Sequence, residues 1–433
     1  MATWIGETFT SDVGWSHLER LVDIGDRMAG TAGERAGLEA TRDALADVGA
    51  RDARIDGFEI QGWIRGDSAV RAGGVAHDCI ALPRSPAATV EGVLVDLGDG
   101  LPADFDRDLT DALVLVSDTV PDYVDRTIHR REKYYRAVEA GAAGFVFRGH
   151  LDGCLAPTGS VGSPDSPVGE IPAVGVSKEV GRRLARRFDG DRVELAVDCE
   201  TPPAKSGNVH AALGPDTGPE LLVTSHVDAH DLAEGAMDNG AGTATLVEVA
   251  RALAAREDEL DVRVRFVPFG AEEVGLQGSS HEASRTAVDD VKAVVNLDGV
   301  CQARTLQVHT HGFTDLGDAV ETVSARFDHP VSVVPRQMPH SDHWPFVARG
   351  VPGLMVGSDT RSRGRGWGHT AADTLDKLDV RTLRESAILL TELVVDLASD
   401  HRTVARRDPA AVAADLEAEG KAEGMRLTGD WPF

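Results

Sequence analysis

Five short stretches of this chain carry side chains able to bind a divalent cation and to move protons. They are His226 and Asp228 in SHVD, Asp238 in MDNGAG, Glu272 and Glu273 in GAEEVGLQGS, Asp298 in NLDG, and His369 in GWGHTAADT. Imidazole together with carboxylates, and without thiolate, is the donor mixture that suits hydrolytic zinc or a similar ion. Taken singly each has an ordinary structural explanation: an HxD pair caps helices, DNG makes turns, and adjacent glutamates open solvated helices. Each of the five, however, follows an apolar run or stands in a glycine-rich loop. In open α/β sheets the ends of the strands and the loops after them are where ligands sit.

The elements that must position these groups alternate after Pro203. ELLVTSHVD reads as a strand, GTATLVEVARALAAR as a helix, and VRVRFVPFG and VKAVVNLDGV as strands. Leu306 to His309 and Val351 to Val356 are further strand candidates, and Arg381 to Leu397 is a closing helix. Such alternation predicts an α/β sandwich around a mostly parallel sheet. Upstream, Leu18, Leu21, Val22 and Ile24, then Leu38, Leu45 and Val48, fall at helical spacing on either side of the turn-like MAGTAGE. Between them and Pro203 the texture changes to short β-rich runs, VEGVLVDLG, DALVLVSD, GFVFRG and IPAVGVS, with one helix over Arg130 to Ala142. This stretch reads as a strand-rich module with its own core. The expected organisation is a discontinuous α/β domain over 1–61 and 200–400, an insert over 62–199, and a short surface helix and tail over 401–433.

The 433 residues include 71 acidic and 44 basic ones, for a formal charge of -27, and only six of the basic residues are lysine. A surface this negative disfavours nucleic acid and anionic lipid as partners. Its acidic, lysine-poor style is that of proteins from saline habitats. No run approaches the length of a membrane span and the first ten residues lack the pattern of an export signal, so a soluble, cytoplasmic chain is expected. Cys79, Cys154, Cys199 and Cys301 show no metal-binding or disulfide spacing.

In their order along the chain, HVD, MDNGAG, GAEEVGLQGS, VNLDGV and GWGHTAADT resemble the co-catalytic dizinc aminopeptidases of family M28. SDHWPF at 341–346 and the early DRMAGTAG share the likeness, and KYYRAVEAGAAGFVFRG followed by IPAVGVSKEVGRRL is similar to the protease-associated (PA) domain inserted in such peptidases. The resemblance implies the zinc-dependent exopeptidase fold, a three-layer α/β/α sandwich with a mostly parallel mixed sheet, and two zinc ions per subunit. It implies Asp238 as the carboxylate bridging both ions, His226 and Asp298 completing one site, and Glu273 with His369 the other. Asp228 would accept a hydrogen bond from the His226 ring and fix its tautomer. Glu272 would be the general base for a metal-bridging hydroxide attacking a peptide at its N-terminal bond. Adjacent glutamates on a regular strand diverge, which would leave one free to titrate.

Within SDHWPF, His343 with Asp342 either stabilises the oxyanion or shapes the cleft wall, the second reading being ahead. Trp344, Trp367 and Phe346 either form an apolar substrate pocket or join the core. Arg361, Arg363 and Arg365 either bind a substrate carboxylate or offset acidic surroundings, again with the second favoured. His230 and Asp231 are the groups expected to line the entrance. A peptide is thus the expected partner, with the oligomeric state open, a homo-oligomer included. The alternatives are a carboxypeptidase of the same fold, a glutaminyl cyclase-like acyltransferase using one zinc, and a non-catalytic receptor-like homologue. Intact ligand positions weigh against the last two.

Overall fold

A computed structural model describes residues 3–216, 218–361 and 366–433. Two mixed sheets of eight strands each organise the described residues. The first runs in the order Arg51–Gln61, Pro203–Leu213, Val264–Phe269, Glu220–His226, Val291–Leu297, Gly353–Ser358, Leu306–His309, Val331–Val334. Its centre, from Val264–Phe269 through Glu220–His226 and Val291–Leu297 to Gly353–Ser358, is parallel, and antiparallel strands flank it.

Parallel strands are covered on both faces and so read as continuous apolar runs. The strand Val291–Leu297 fits, since all but Lys292 of its residues are buried. Side chains alternate between the faces. Leu221 and Val223 join the large core beneath the helices Val13–Ile24, Ala32–Asp47, Ala241–Ala254, Thr314–Phe327 and Val380–Ala398, while Leu222 joins a smaller core under Gln277–Arg285 and Trp344–Val347. This is the α/β/α sandwich expected from the alternation. The helix Ala241–Ala254 is buried nearly all round, and a Cβ at Gly14 would lie 2.9 Å from the Ala244 carbonyl oxygen. Only a glycine lets the helix beginning at Val13 come that close.

The second sheet runs Val75–His77, Ile64–Ala72, Arg192–Glu200, Ala88–Asp96, Ala112–Ser117, Gly144–Arg148, Ala173–Val176, Ile80–Ala81. The helix expected over Arg130 to Ala142 spans Arg130–Glu139, and after the foreseen strand, Ala173–Val176, comes a second helix not foreseen, Lys178–Phe188, whose Leu184 packs on the opposite face of the sheet. The expectation of a separate core needs correction. One face of this sheet packs on its own residues Tyr134, Phe145 and Val161, but the other shares a core with Met28, Ala29, Ala271 and Val274 of the α/β domain. Apolar side chains on both faces of the sheet require two partners, and the loops around the candidate site supply the second.

Residues 401–433 also differ from a surface tail. They form Pro409–Ala418 and Ala422–Leu427, which bury Val412, Leu416 and Met425 in the main core, and Asp430 accepts from Arg131 of the insert at 2.8 and 3.0 Å. The chain's end thus straps the two sheets together. Among the described residues no helix is long and apolar enough to cross a membrane.

Candidate active site

The strand Glu220–His226 ends with His226 at the C-terminal edge of the parallel sheet, and Asp298 follows the neighbouring strand Val291–Leu297. Between them lies the turn Ala236–Gly240, with a cis peptide between Asp238 and Asn239. Asn239 fastens this turn to the sheet by donating to the Leu297 carbonyl at 2.8 Å and accepting from the Gly242 amide at 3.1 Å. A Cβ on Gly242 would lie 2.1 Å from the Asn239 Oδ1, so the glycines of MDNGAG allow the backbone to close in this way.

His226, Asp238, Glu272, Glu273, Asp298 and His369 converge. The Nε2 of His226 is 3.3 Å from Asp238 and 3.8 Å from Asp298, and the Nε2 of His369 is 3.2 Å from Asp238 and 3.3 Å from Glu273. Three overlapping triads have ligand atoms within 4.8 Å of one another: His226, Asp238 and Glu273; His226, Glu272 and Asp298; and His230, Glu273 and His369. Asp238 stands between the two histidines that the resemblance assigns to different ions.

Electrostatics make the cluster a fit for cations. Burial and the Glu273 charge push the Asp238 carboxyl up, but hydrogen bonds from His226 and His369 outweigh both and hold it below the usual range. Burial likewise raises Glu273, and the imidazoles of His230 and His369 overcome it. Glu272 differs: burial together with the charges of Glu273, Asp342 and Asp298 lifts it well above an ordinary glutamate, against the pull of His226. Carboxylates outnumber imidazoles here, and the Oε1 of Glu273 is buried without a hydrogen-bond partner. Buried anions in such excess need positive charge, and oxygen and imidazole donors suit zinc.

The structure gives Asp228 a second role beside the one expected from its spacing to His226. The His226 Nδ1 lies 3.0 Å from the main-chain oxygen of Asp228, closer than the carboxylate at 3.5 Å. The carboxylate also accepts from two successive backbone amides, Glu272 N–H at 3.0 Å and Glu273 N–H at 3.1 Å. The two glutamates also differ from neighbours on a pleated strand. Glu272 and Glu273 lie past Val264–Phe269, after Ala271 at a φ of 57°, and both carboxylates reach the cluster. A loop held by Asp228, rather than a pleat, sets their directions.

Asp342, His343 and Trp344, expected as substrate-binding groups, are 0%, 0% and 5% exposed. His343 lies 2.9 Å from the Met338 carbonyl through Nε2 and stacks on His311, and burial pulls its pKa down to about 3. A neutral imidazole has one N–H, and this one is spent on that carbonyl, so no donor is left for an oxyanion. Trp344 belongs to the main core and Phe346 to the smaller one. Asp342 is enclosed, both its oxygens lacking hydrogen-bond partners, and burial pushes its pKa up to about 8. Within this segment it is Ser341 that serves the site: its hydroxyl donates to Asp298 at 2.7 Å and accepts from Asn296 at 2.7 Å. Arg361 is exposed, while Arg363 and Arg365 lie outside the described residues.

Several supporting groups carry no assignment from the sequence. Asp373, within the quoted GWGHTAADT, accepts from the amides of Met237 at 2.6 Å and Asp238 at 3.1 Å, fixing the backbone of the central carboxylate. Arg27 of DRMAGTAG is 1% exposed and donates to the carbonyls of Leu21, Val227, Glu234 and Gly235, tying the helix Val13–Ile24 to both site loops. Glu34 accepts from the Gly30 and Ala271 amides and the Ser206 hydroxyl, and burial, then the charge of Asp228, raises its pKa to about 8. His230, expected at the entrance, is 6% exposed with its Nε2 2.9 Å from Glu273. Its neighbour Asp231 pairs bidentately with Arg65 of the insert at 2.6 and 2.8 Å. The insert also grips His369 directly, through Thr158 N–H to the His369 carbonyl at 2.8 Å and His369 Nδ1 to the Thr158 carbonyl at 3.3 Å.

Comparison with known proteins agrees with this arrangement. A family model described as Peptidase family M28 matches residues 208–394, and one described as PA domain matches residues 88–184. Aminopeptidase YwaD of Bacillus subtilis is 27% identical over 396 residues, covering 86% of this chain and 81% of that protein. The probable leucine aminopeptidase 2 of Aspergillus fumigatus is 25% identical over 343 residues, 73% of this chain, and the match spans 66% of that protein. Among solved structures, BSAP, a zinc aminopeptidase from Bacillus subtilis, superposes with a TM-score of 0.71 at 25% identity, over 89% of this chain and 95% of its own.

Proposed function

We propose, from the match of residues 208–394 to peptidase family M28 and of residues 88–184 to the PA domain, that this protein is a metal-dependent aminopeptidase. The observation that carries the reading is the meeting of His226, Asp238, Glu273, Asp298 and His369, with Glu272 beside them, at one buried edge of the parallel sheet. The names of the similar proteins support an aminopeptidase within that class.

In this reading Asp238 would be shared by two cation sites, with His226 and Asp298 as the residues that would hold one ion and Glu273 and His369 the other. Bound divalent cations, zinc as in the similar Bacillus structure, would supply the Lewis acidity that makes water a nucleophile near neutral pH. Glu272 takes the proton from the attacking water and delivers it to the leaving amine. Its raised proton affinity suits a group that must both accept and donate. Asp228 and Asp373 hold the backbones of 272–273 and 237–238, so that carboxylates rather than loops face the substrate. The cavity lined by His230, Gly235, Asp238, His369 and Thr370 receives the N-terminal end of a peptide. A saline cytoplasm is the setting that the acidic, lysine-poor composition suits.

A panel of aminoacyl anilides and N-blocked dipeptides with free C-termini, each assayed with and without a chelator, tests the proposal. Cleavage of the free-amine substrates, abolished by chelator and restored by zinc, is expected. Turnover that survives chelation, or that is confined to the N-blocked substrates, would overturn it.

A further inference from the structure

Among the described residues, the fully buried side-chain cations are satisfied with the exception of one arginine. Arg27 meets four carbonyls, and the Lys133 ammonium meets those of Asp99, Ser117 and Thr119 at 2.6–2.8 Å. Arg84, in the insert, is 3% exposed, yet its Nε is buried without a hydrogen-bond partner, and among the described residues no carboxylate stands within ion-pair distance of it. The charged group that shares its cavity is also positive. Arg131 is already committed, to Asp430 at 2.8 and 3.0 Å, to the Gly162 carbonyl at 2.8 Å and to that of Thr428 at 2.9 Å.

Arg84 and Arg131 line one cavity together with Ser160 and Ser163 of the insert and Gly275 and Gln277 of the turn that follows Glu273. No acidic residue lines it, in a protein with 71 of them. The cavity leaves about 10 Å³ for the centre of a water-sized occupant, which is room for one small particle. A guanidinium withdrawn from water without a counter-charge is strongly unfavourable. Water there would hydrogen-bond to it but leave its charge uncompensated, whereas a monatomic anion supplies the counter-charge and sits wholly within the enclosed space. We propose that this cavity is a halide site, occupied by chloride, which pins the inserted domain against the turn bearing Glu272 and Glu273.

Two measurements on the full chain test this. Crystals grown in potassium bromide and measured at the bromine edge should show an anomalous peak within hydrogen-bonding distance of the Arg84 guanidinium; a featureless map there overturns the proposal. In thermal melts, potassium chloride is compared with potassium gluconate at equal concentration, so that cation and ionic strength are matched and only the small anion fits. The parent protein should melt roughly 2–4 °C higher in chloride, and Arg84→Met should abolish the difference. An equal difference in both chains, or none in the parent, refutes the site. If Arg84→Met does not fold, the bromide map alone decides.

Discussion

Replacing Asp228 by Asn separates the role the structure gives this residue from the one its HxD spacing suggests. The carboxylate oxygens accept from the amides of Glu272 and Glu273 at 3.0 and 3.1 Å in a site where Asp228 is fully buried. Asparagine keeps the shape but offers one acceptor oxygen, so one amide meets a neutral carbonyl and the other faces an NH2 group. A charge-assisted bond contributes about 1.5–3 kcal/mol, and an orphaned buried N–H costs about 1–3 kcal/mol. Allowing for partial relaxation of the turn, about 2–3 kcal/mol remains, or roughly a 30–150-fold loss. His226 keeps its bond to the Asp228 main-chain carbonyl, which the substitution leaves intact. The loss should therefore fall on kcat at saturating zinc, through misdirected Glu272, with KM for an aminoacyl anilide little changed and metal content by elemental analysis near that of the parent. A kcat within twofold of the parent would refute the grip on 272–273. Normal kcat combined with weakened metal binding would return Asp228 to the role of orienting His226.

Glu272→Gln should retain bound metal while turnover falls about 10²–10⁴-fold; near-parental rates would remove Glu272 from the proton transfers. His17 is 5% exposed against Thr41, and burial, aided by Arg20 and Arg27, lowers its pKa to about 3. Its folded pKa lies below the unfolded value of 6.5, so its contribution is fully present above pH 6.5 and is lost as pH falls toward 3. In His17→Gln, urea midpoints should decline less between pH 7 and 4.5 than in the parent, and parallel declines would contradict the assignment. With a formal charge of -27, folding and activity should rise as molar potassium salt screens self-repulsion, and indifference to salt would refute a saline adaptation.

The central strands, and the side chains that converge at the candidate site, were legible in the order of residues. Strands such as Glu220–His226 and Val291–Leu297 are covered on both faces, so their apolar runs are unbroken, and each is followed at once by the group it presents. Arg51–Gln61, Ile64–Ala72 and Arg192–Glu200 went unrecognised because each turns one face to water and interleaves charged residues with apolar ones. Tertiary structure alone decided what each side chain does. The Asp228 carboxylate takes amides 44 and 45 positions away, and His369 is gripped by Thr158, 211 positions away in a loop of the insert. His343 and Trp344 carry site-like chemistry, but packing encloses them and leaves Ser341 to serve Asp298. A residue's type limits the bonds it can make. Which of them it makes depends on the backbone amides and carbonyls that folding brings within 3 Å of it, and these carry no mark in the sequence.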